Sequence, residues 1–233
     1  MESALQEING DHSEPDSREG TPLTRPHLLL ILNRIGNSSY DDLGLYTAFT
    51  LVFAAFLKVG EFTYRQTDLD SGPVFRNWLL TKSSIRFIAG GAHSELTIPS
   101  SKTDPSRNGV HLTIAACNDG ARPVTPMKNL TRIDSHRPID APLFCIGPCD
   151  QCQFTREYVV QWLRELPIGV GLGYGAWNGH SFTRGAVTWG AEMGIVDNQI
   201  QIFGCRGQTL TKSTSSTLGR NLSHYDDGSS KQD

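Results

Sequence analysis

An uncharged apolar run from Leu43 to Leu57 constrains the fold more than any other part of the sequence. A bilayer crossing needs about 20 residues, so this run is too short to span a membrane and predicts a buried helix. Asp41 and Asp42 precede the run and can cap the N-terminus of this helix. The helix is expected to extend to about Lys58 and to stop near Gly60. Because it is apolar on every side, it should lie at the centre of a domain.

The remaining patterns predict a mixed fold. Three short β-branched segments, SIRFIA, ELTIPS and VHLTIA, lie between residues 84 and 115 and predict a three-stranded antiparallel sheet. Apolar residues at helical spacing predict further helices at Thr24–Ile35, Val124–Ile133, Thr155–Leu166, Asn178–Met193 and Asp197–Phe203. The predicted fold class is α+β, mainly helical, with helices around a small three-stranded antiparallel sheet.

Charge and polarity divide the chain into three parts. Residues 1–19 hold six acidic residues and one basic residue, so the segment 1–22 is predicted to be a disordered acidic arm. Residues 23–204 form the predicted folded domain, and the polar Ser/Thr-rich segment 205–233 is predicted to be a disordered tail. No charged and apolar leader opens the sequence, which predicts a protein of the nucleus or cytoplasm that is not secreted. The net charge of −3 does not by itself favour nucleic acid.

Basic or imidazole side chains stand at the ends of predicted elements in three places. Lys58 ends the buried helix in FLKVGEF, with Glu61 three residues further on, where a cation and a carboxylate can meet. Lys102 lies in PSSKTDP, a turn between two predicted strands from which an ammonium can reach a phosphate. His180 begins a predicted helix in GHSFTRG, with Arg184 one turn later. Taken singly, these are a helix-end pair, a solvated turn lysine and a plausible phosphate site.

Taken in order, these three places resemble the catalytic domain of tyrosine recombinases of the phage-integrase type. The most distinctive stretches are YDDLGLYTAFTLVFAAFLKVGEFTY, LTIPSSKTDPSRNGVHLTI, FTREYVVQWLREL and GHSFTRGAVTWGAEMGIVDNQIQIFG. These sequences most resemble integrase-like proteins of fungal mobile elements, and the resemblance covers residues 22–204. Under this resemblance, residues 23–204 are a recombinase-like catalytic domain.

The resemblance implies that a tyrosine attacks a DNA phosphodiester while two arginines and a histidine hold the phosphate, without metal or cofactor. Guanidinium groups suit this role because each can donate two hydrogen bonds to phosphoryl oxygens. The family's first arginine falls on Lys58, its hairpin lysine on Lys102, its histidine on His180 and its second arginine on Thr183. Both arginine positions are therefore altered, which predicts impaired catalysis. Further predicted DNA contacts are Arg184, Arg86, Arg107 and Lys82.

The family's nucleophile has no clear counterpart. The only tyrosine after Tyr174 is Tyr225, in the predicted disordered tail. One permitted set of codons for GQTLTKSTSST (207–217), read from its third base, encodes SDAYKIYIEY, which resembles the family's tyrosine-bearing helix. We therefore hypothesise a frameshift near Cys205. With or without it, the predicted function is DNA binding by a recombinase-derived domain with little or no strand cleavage, with homo-oligomerisation on DNA as a further expectation.

The same residues leave two other functions open and offer one candidate metal site. The stretch WGAEMGIVDNQIQIFG has the rhythm of a helix-turn-helix, which favours a non-enzymatic DNA-binding module. A non-functional mobile-element remnant is the other alternative. Cys145, Cys149 and Cys152, with His136 nearby, could hold zinc, but a second ligand pair is absent and no metal is predicted.

Overall fold

The computed structural model of the chain describes residues 21–36, 38–70, 77–88, 90, 92–99, 109–115, 120–147, 154–172 and 177–196. These ranges contain α-helices, three β-strands and two short 3-10 helices, Lys82–Ser84 and Asp134–His136. The α-helices are α1 (Arg25–Ile35), α2 (Tyr40–Ala54), α3 (Val59–Phe62), α4 (Gln66–Asp70), α5 (Val124–Ile133), α6 (Arg156–Gly169) and α7 (Ser181–Glu192). The strands are β1 (Ile85–Ile88), β2 (His93–Ile98) and β3 (Val110–Ala115).

The three strands form one antiparallel sheet in the order β1-β2-β3. In the central strand, Ser94, Leu96 and Ile98 are buried and alternate with half-buried residues. Leu96 pairs with Ile85 on one side and with Leu112 on the other. This alternation is typical of a sheet that places one face on a hydrophobic core. The predicted α+β class, with helices and a three-stranded antiparallel sheet, is confirmed.

Helix α2 is buried along almost its whole length, as its composition predicts. It begins at a capping box in which Ser39 and Asp42 exchange hydrogen bonds between side chain and backbone. It ends at Ala54, whereas the sequence predicted an end near Lys58. Neither charge nor a helix-breaking residue marks this end, so the apolar run alone could not locate it.

The early end of α2 is produced by Phe56, which adopts a positive φ of 53°. The amide of Leu57 donates to the carbonyl of Val52 at 2.9 Å, and the amide of Phe56 donates to Phe53 at 3.4 Å. This pair of bonds is the Schellman motif, which normally uses glycine in the left-handed position. An aromatic residue there is strained, and burial of the Phe56 ring offsets the strain. The turn separates Lys58 from α2 and starts α3.

Helices α1, α5, α6 and α7 agree with the sequence prediction to within three residues at either end. Helix α6 was expected to stop at Leu166, before Pro167, but continues to Gly169. Proline is tolerated because it lies in the last turn, where only one backbone hydrogen bond is lost. The amide of Leu172 then closes the helix by donating to the carbonyl of Pro167 at 2.9 Å.

The start of the folded domain crosses helix α7. Leu23 is fully buried, and its amide donates to the carbonyl of Ser181 at 2.9 Å. The crossing is close because Gly185 has no side chain: a Cβ there would lie 1.7 Å from the carbonyl oxygen of Leu23. Leu23 is thus part of the core.

Several sequence predictions lie outside the described residues. They are the part of the acidic arm from 1 to 20, the helix Asp197–Phe203, the tail 205–233 and the proposed frameshift. Along the described residues, no helix combines the length and apolar character that a bilayer crossing requires.

Candidate functional site

Lys58 occupies the N-cap position of α3, and its residue is exposed. The sequence predicted that Glu61 could meet the ammonium of Lys58. The structure shows Glu61 bound to the backbone instead, because its Oε2 accepts a hydrogen bond from the Lys58 amide at 2.8 Å. Glu61 therefore caps the short helix α3 and fixes the backbone that carries the Lys58 ammonium.

His180 occupies the N-cap position of α7 and is exposed. The turn before it is held by side chains: Asn178 Oδ1 accepts from the His180 amide at 2.9 Å, and Ser181 Oγ accepts from the Asn178 amide at 3.0 Å. The imidazole of His180 makes no capping hydrogen bond to α7. His180 therefore lies at the N-terminus of a three-turn helix, where partial positive charge favours an anion.

The structure brings the segment around Lys58 against the segment around His180. Thr183 Oγ1 donates to the carbonyl of Leu57 at 3.2 Å, a contact between positions 126 residues apart. On the other side of Lys58, Val59 packs on Gly179, where a Cβ would lie 3.2 Å from Val59 Cγ2. The two neighbours of Lys58, Leu57 and Val59, thus contact the residues that flank His180: Thr183 in the first turn of α7, and Gly179 just before it.

Thr183 has a structural role at the position where the resemblance predicts an arginine. Its residue is half-buried, and its hydroxyl is engaged by the Leu57 carbonyl. A threonine cannot donate two parallel hydrogen bonds to phosphate as a guanidinium does. The Thr183 hydroxyl instead joins α7 to the turn that precedes Lys58.

Arg156 lies near the same turn, next to Gly179, and was not predicted from the sequence as a site residue. It is the first residue of α6, and its residue is exposed. Its Nη2 lies 3.7 Å from the position that a Cβ would occupy at Gly179, the residue before His180. The pattern FTREYVVQWLREL predicts a helix, and in the structure Thr155 caps it by accepting a hydrogen bond from the Tyr158 amide. That pattern carries no information on which distant loop the Arg156 side chain meets.

The other predicted DNA contacts lie in different surroundings. Arg184 is exposed on α7, one residue beyond Thr183. Arg86 is exposed on β1 and forms an ion pair with Glu95, its cross-strand partner on β2, with Nε and Oε2 2.9 Å apart. Lys102 and Arg107 lie outside the described residues. Whether Lys102 joins Lys58 and His180 therefore stays a prediction.

Lys82, predicted to contact DNA, is instead part of the interior. It is only 8% exposed, and its ammonium donates to the carbonyls of Asp134 and Arg137, the latter at 2.7 Å. The prediction is wrong because a lysine in a polar TKSS segment looks exposed in sequence, while the 3-10 helix turns its side chain inward. A buried ammonium that is bound to two backbone carbonyls cannot reach a phosphate at the surface.

The Lys82 ammonium belongs to a buried polar network. Arg137 Nη1 and Asp134 Oδ2 form an ion pair at 2.9 Å with both side chains almost fully buried. The Tyr40 hydroxyl donates to Asp134 Oδ1 at 2.7 Å and lies 3.0 Å from Cys145 Sγ. Burial raises the pKa of Tyr40, and the hydrogen bonds with Cys145 and Asp134 raise it further. This network joins α2, the 3-10 helix Asp134–His136 and the segment that follows it.

The cysteine motif is only partly described. Cys145 is buried, and its thiol is hydrogen-bonded to the Gly147 carbonyl at 3.4 Å. Cys149 and Cys152 lie outside the described residues. Within the part of the chain that the structure describes, no three histidine, cysteine or acidic side chains cluster as metal ligands.

No protein-family model matches the chain, and no curated protein matches it.

Proposed function

We propose that this chain is a DNA-binding domain derived from the catalytic domain of a tyrosine recombinase, with little or no strand-cleaving activity. The observation that carries the proposal is the contact between the segments of Lys58 and His180. These residues correspond to two of the family's phosphate-contacting positions and lie more than a hundred residues apart in sequence. Thr183 and Gly179 hold the two segments together from either side of Lys58.

The chemistry of this region favours a phosphodiester. Lys58 offers a mobile ammonium, and His180 stands at the N-terminus of α7 beside amides that favour an anion. Backbone phosphates dominate the affinity of proteins for DNA, so a small group of such contacts supports binding without sequence preference. The near-neutral remainder of the domain implies weak, salt-sensitive binding. DNA as ligand makes the nucleus the proposed compartment.

Loss of cleavage is proposed because the two family arginine positions hold Lys58 and Thr183. The Thr183 hydroxyl is bound to the Leu57 carbonyl. Loss of one donor that stabilises a transition state typically lowers the rate by about 10²–10³. A DNA substrate that traps the covalent tyrosyl intermediate should yield no adduct with this chain. A trapped adduct would show that catalysis is retained.

DNA binding is tested by the fluorescence anisotropy of a labelled 25-base-pair duplex titrated with the full chain at several salt concentrations. The dissociation constant should rise steeply with salt, and Lys58→Ala and His180→Ala should each weaken binding. Arg132→Ala provides the matched control, because Arg132 is an exposed cation on a different helix, α5. The proposal fails if the chain shows no salt-dependent binding, or if all three variants bind DNA as the unchanged chain does.

A helix-turn-helix module is the second candidate, and the end of α7 favours it. Gly194 adopts a φ of +77°, its amide donates to Ala191, and the amide of Ile195 donates to Gly190, both at 3.0 Å. These bonds form a Schellman turn at the predicted end of the first helix. A sequence-specific footprint that is lost on substitution within 195–203, but not on Lys58→Ala, would support this candidate over the first.

A further inference from the structure

The region around Gly179 holds a third basic side chain, Arg156, which belongs to a different element from Lys58 and His180. Lys58 begins α3, Arg156 begins α6 and His180 begins α7. Gly179 contacts two of these starts directly: a Cβ on it would lie 3.2 Å from Val59 Cγ2 and 3.7 Å from Arg156 Nη2. The starts of three helices that are distant in sequence therefore meet at one glycine.

The close approach depends on Gly179 having no side chain. A Cβ at 3.2 Å from Val59 would be tighter than ordinary van der Waals contact, so any larger residue must push Val59 away. The same Cβ would be in ordinary van der Waals contact with Arg156 Nη2, at 3.7 Å. Gly179 is buried, while Lys58, Arg156 and His180 are exposed around it. The arrangement thus consists of a buried backbone junction with three basic groups at its surface.

The Arg156 guanidinium has no carboxylate partner among the residues that the structure describes. An exposed cation that forms no ion pair keeps its five donors for a ligand or for water. Its planar fork can donate two parallel hydrogen bonds to a phosphate, which neither Lys58 nor Thr183 can do. The Arg156 guanidinium, which lies next to Gly179, therefore offers the pair of parallel donors that Lys58 and Thr183 lack.

We propose that Arg156 binds the same DNA phosphate as Lys58 and His180, and that it supplies the guanidinium absent from positions 58 and 183. This inference rests on the proposed function, since it assumes that the ligand is a DNA phosphodiester. Arg156 is thereby assigned as a phosphate-binding residue, reached from α6 rather than from α3 or α7.

The test uses the full chain and the labelled duplex described above. Arg156→Ala should weaken DNA binding by about tenfold or more, the range for a charge-assisted hydrogen bond. It should also lower the slope of log affinity against log salt by about one, because one phosphate contact is lost. Arg156→Lys should restore the slope but not the full affinity, since lysine keeps the charge and loses the fork.

Arg164→Ala is the matched control, because Arg164 is an exposed arginine on the same helix, two turns further on. It should change affinity less than twofold. The double variant Lys58→Ala/Arg156→Ala should be less impaired than the product of the two single effects, because both residues bind one phosphate. Thermal melts of all variants should match the unchanged chain, since Arg156 is exposed and makes no ion pair among the described residues.

The possible results separate this inference from the proposed function. If the unchanged chain binds DNA and Arg156→Ala behaves like Arg164→Ala, the assignment of Arg156 is wrong while the proposed function stands. If Arg156→Ala weakens binding but its effect multiplies independently with that of Lys58→Ala, Arg156 binds a different phosphate and the inference is again wrong. If the unchanged chain shows no salt-dependent binding, the proposed function falls and this inference with it.

Discussion

Substitution of Gly185 by alanine should destabilise the protein severely. The added Cβ would lie 1.7 Å from the carbonyl oxygen of Leu23 and 2.4 Å from its carbonyl carbon. Both are backbone atoms, so no side-chain rotation relieves the overlap. The segment at Leu23 must instead move away from α7 by more than an ångström. This movement breaks the 2.9 Å hydrogen bond from the Leu23 amide to Ser181 and lifts a fully buried leucine from the core.

The expected loss follows from these two contacts. A buried amide left without its acceptor costs about 1–3 kcal/mol. Partial exposure of the Leu23 side chain costs up to about 1.5–3 kcal/mol. Alanine gains about 1 kcal/mol over glycine inside a helix, which offsets part of the loss. The net change in unfolding free energy is therefore about 1.5–5 kcal/mol, a large part of the about 5–15 kcal/mol that stabilises a typical domain.

Equilibrium denaturation in urea, followed by circular dichroism and tryptophan fluorescence, measures this change. The midpoint of Gly185→Ala should fall by about 0.5 M or more, given a slope of about 1–3 kcal/mol per molar urea. Gly60→Ala is the matched control: Gly60 lies in α3, and a Cβ there would meet no atom within 4 Å. Its midpoint should not fall.

A midpoint for Gly185→Ala equal to or above that of the unchanged chain would refute the reasoning. It would mean that Leu23 does not lie against α7.

The unchanged chain also bears on the remnant alternative, because a remnant that folds poorly would show no cooperative transition. A single cooperative transition seen by both probes would argue against it.

Three further predictions concern the interior and the site. Lys82→Met should lower the unfolding free energy by about 2–4 kcal/mol, because two buried carbonyls lose a charged donor, and it should leave the salt slope of DNA binding unchanged. A change in slope without loss of stability would contradict the burial of Lys82. Thr183→Ala should lower the free energy of unfolding by about 1 kcal/mol in urea denaturation, because the hydrogen bond from its hydroxyl to Leu57 is lost. Thr183→Ser should recover most of this loss. Equal losses in the two variants would exclude that hydrogen bond. Burial raises the pKa of Tyr64, so its phenol stays neutral in the folded protein while the unfolded chain ionises near pH 10. The contribution of Tyr64 to the free energy of unfolding is therefore fully present below pH 10, and it should fall above pH 10 by about 1.4 kcal/mol per pH unit. Denaturation at pH 9, 10 and 11 should show a smaller loss of stability with pH for Tyr64→Phe than for the unchanged chain. An equal loss in both would contradict the burial of a neutral Tyr64 phenol.

Much of the fold could be predicted because local patterns produce local structure. The strands, the central position of α2 and the bounds of α5 follow from apolar periodicity and from capping residues. Prediction failed where an end depends on packing. Phe56 takes a left-handed conformation that sequence assigns to glycine, and α6 runs through Pro167 because its last turn tolerates the missing amide. Helices α3 and α4 were missed because four or five residues are too few to show a helical period.

The candidate site divides in the same way. Lys58, His180 and Thr183 could be selected from the sequence, because residue type, element ends and resemblance to a family are local features. Lys82 could not be placed correctly, since its burial depends on carbonyls more than fifty positions away. Arg156 could not be linked to His180, because Gly179 joins them only in three dimensions.

The sequence by itself determined which residues carry charge, where the apolar run lies and which residue types stand at the positions that the resemblance selects. The tertiary structure decided which charges are buried and which of them meet. The physical reason is that side-chain chemistry and helical periodicity are properties of short segments. Burial and contact between α3, α6 and α7 depend instead on how the whole chain packs its core.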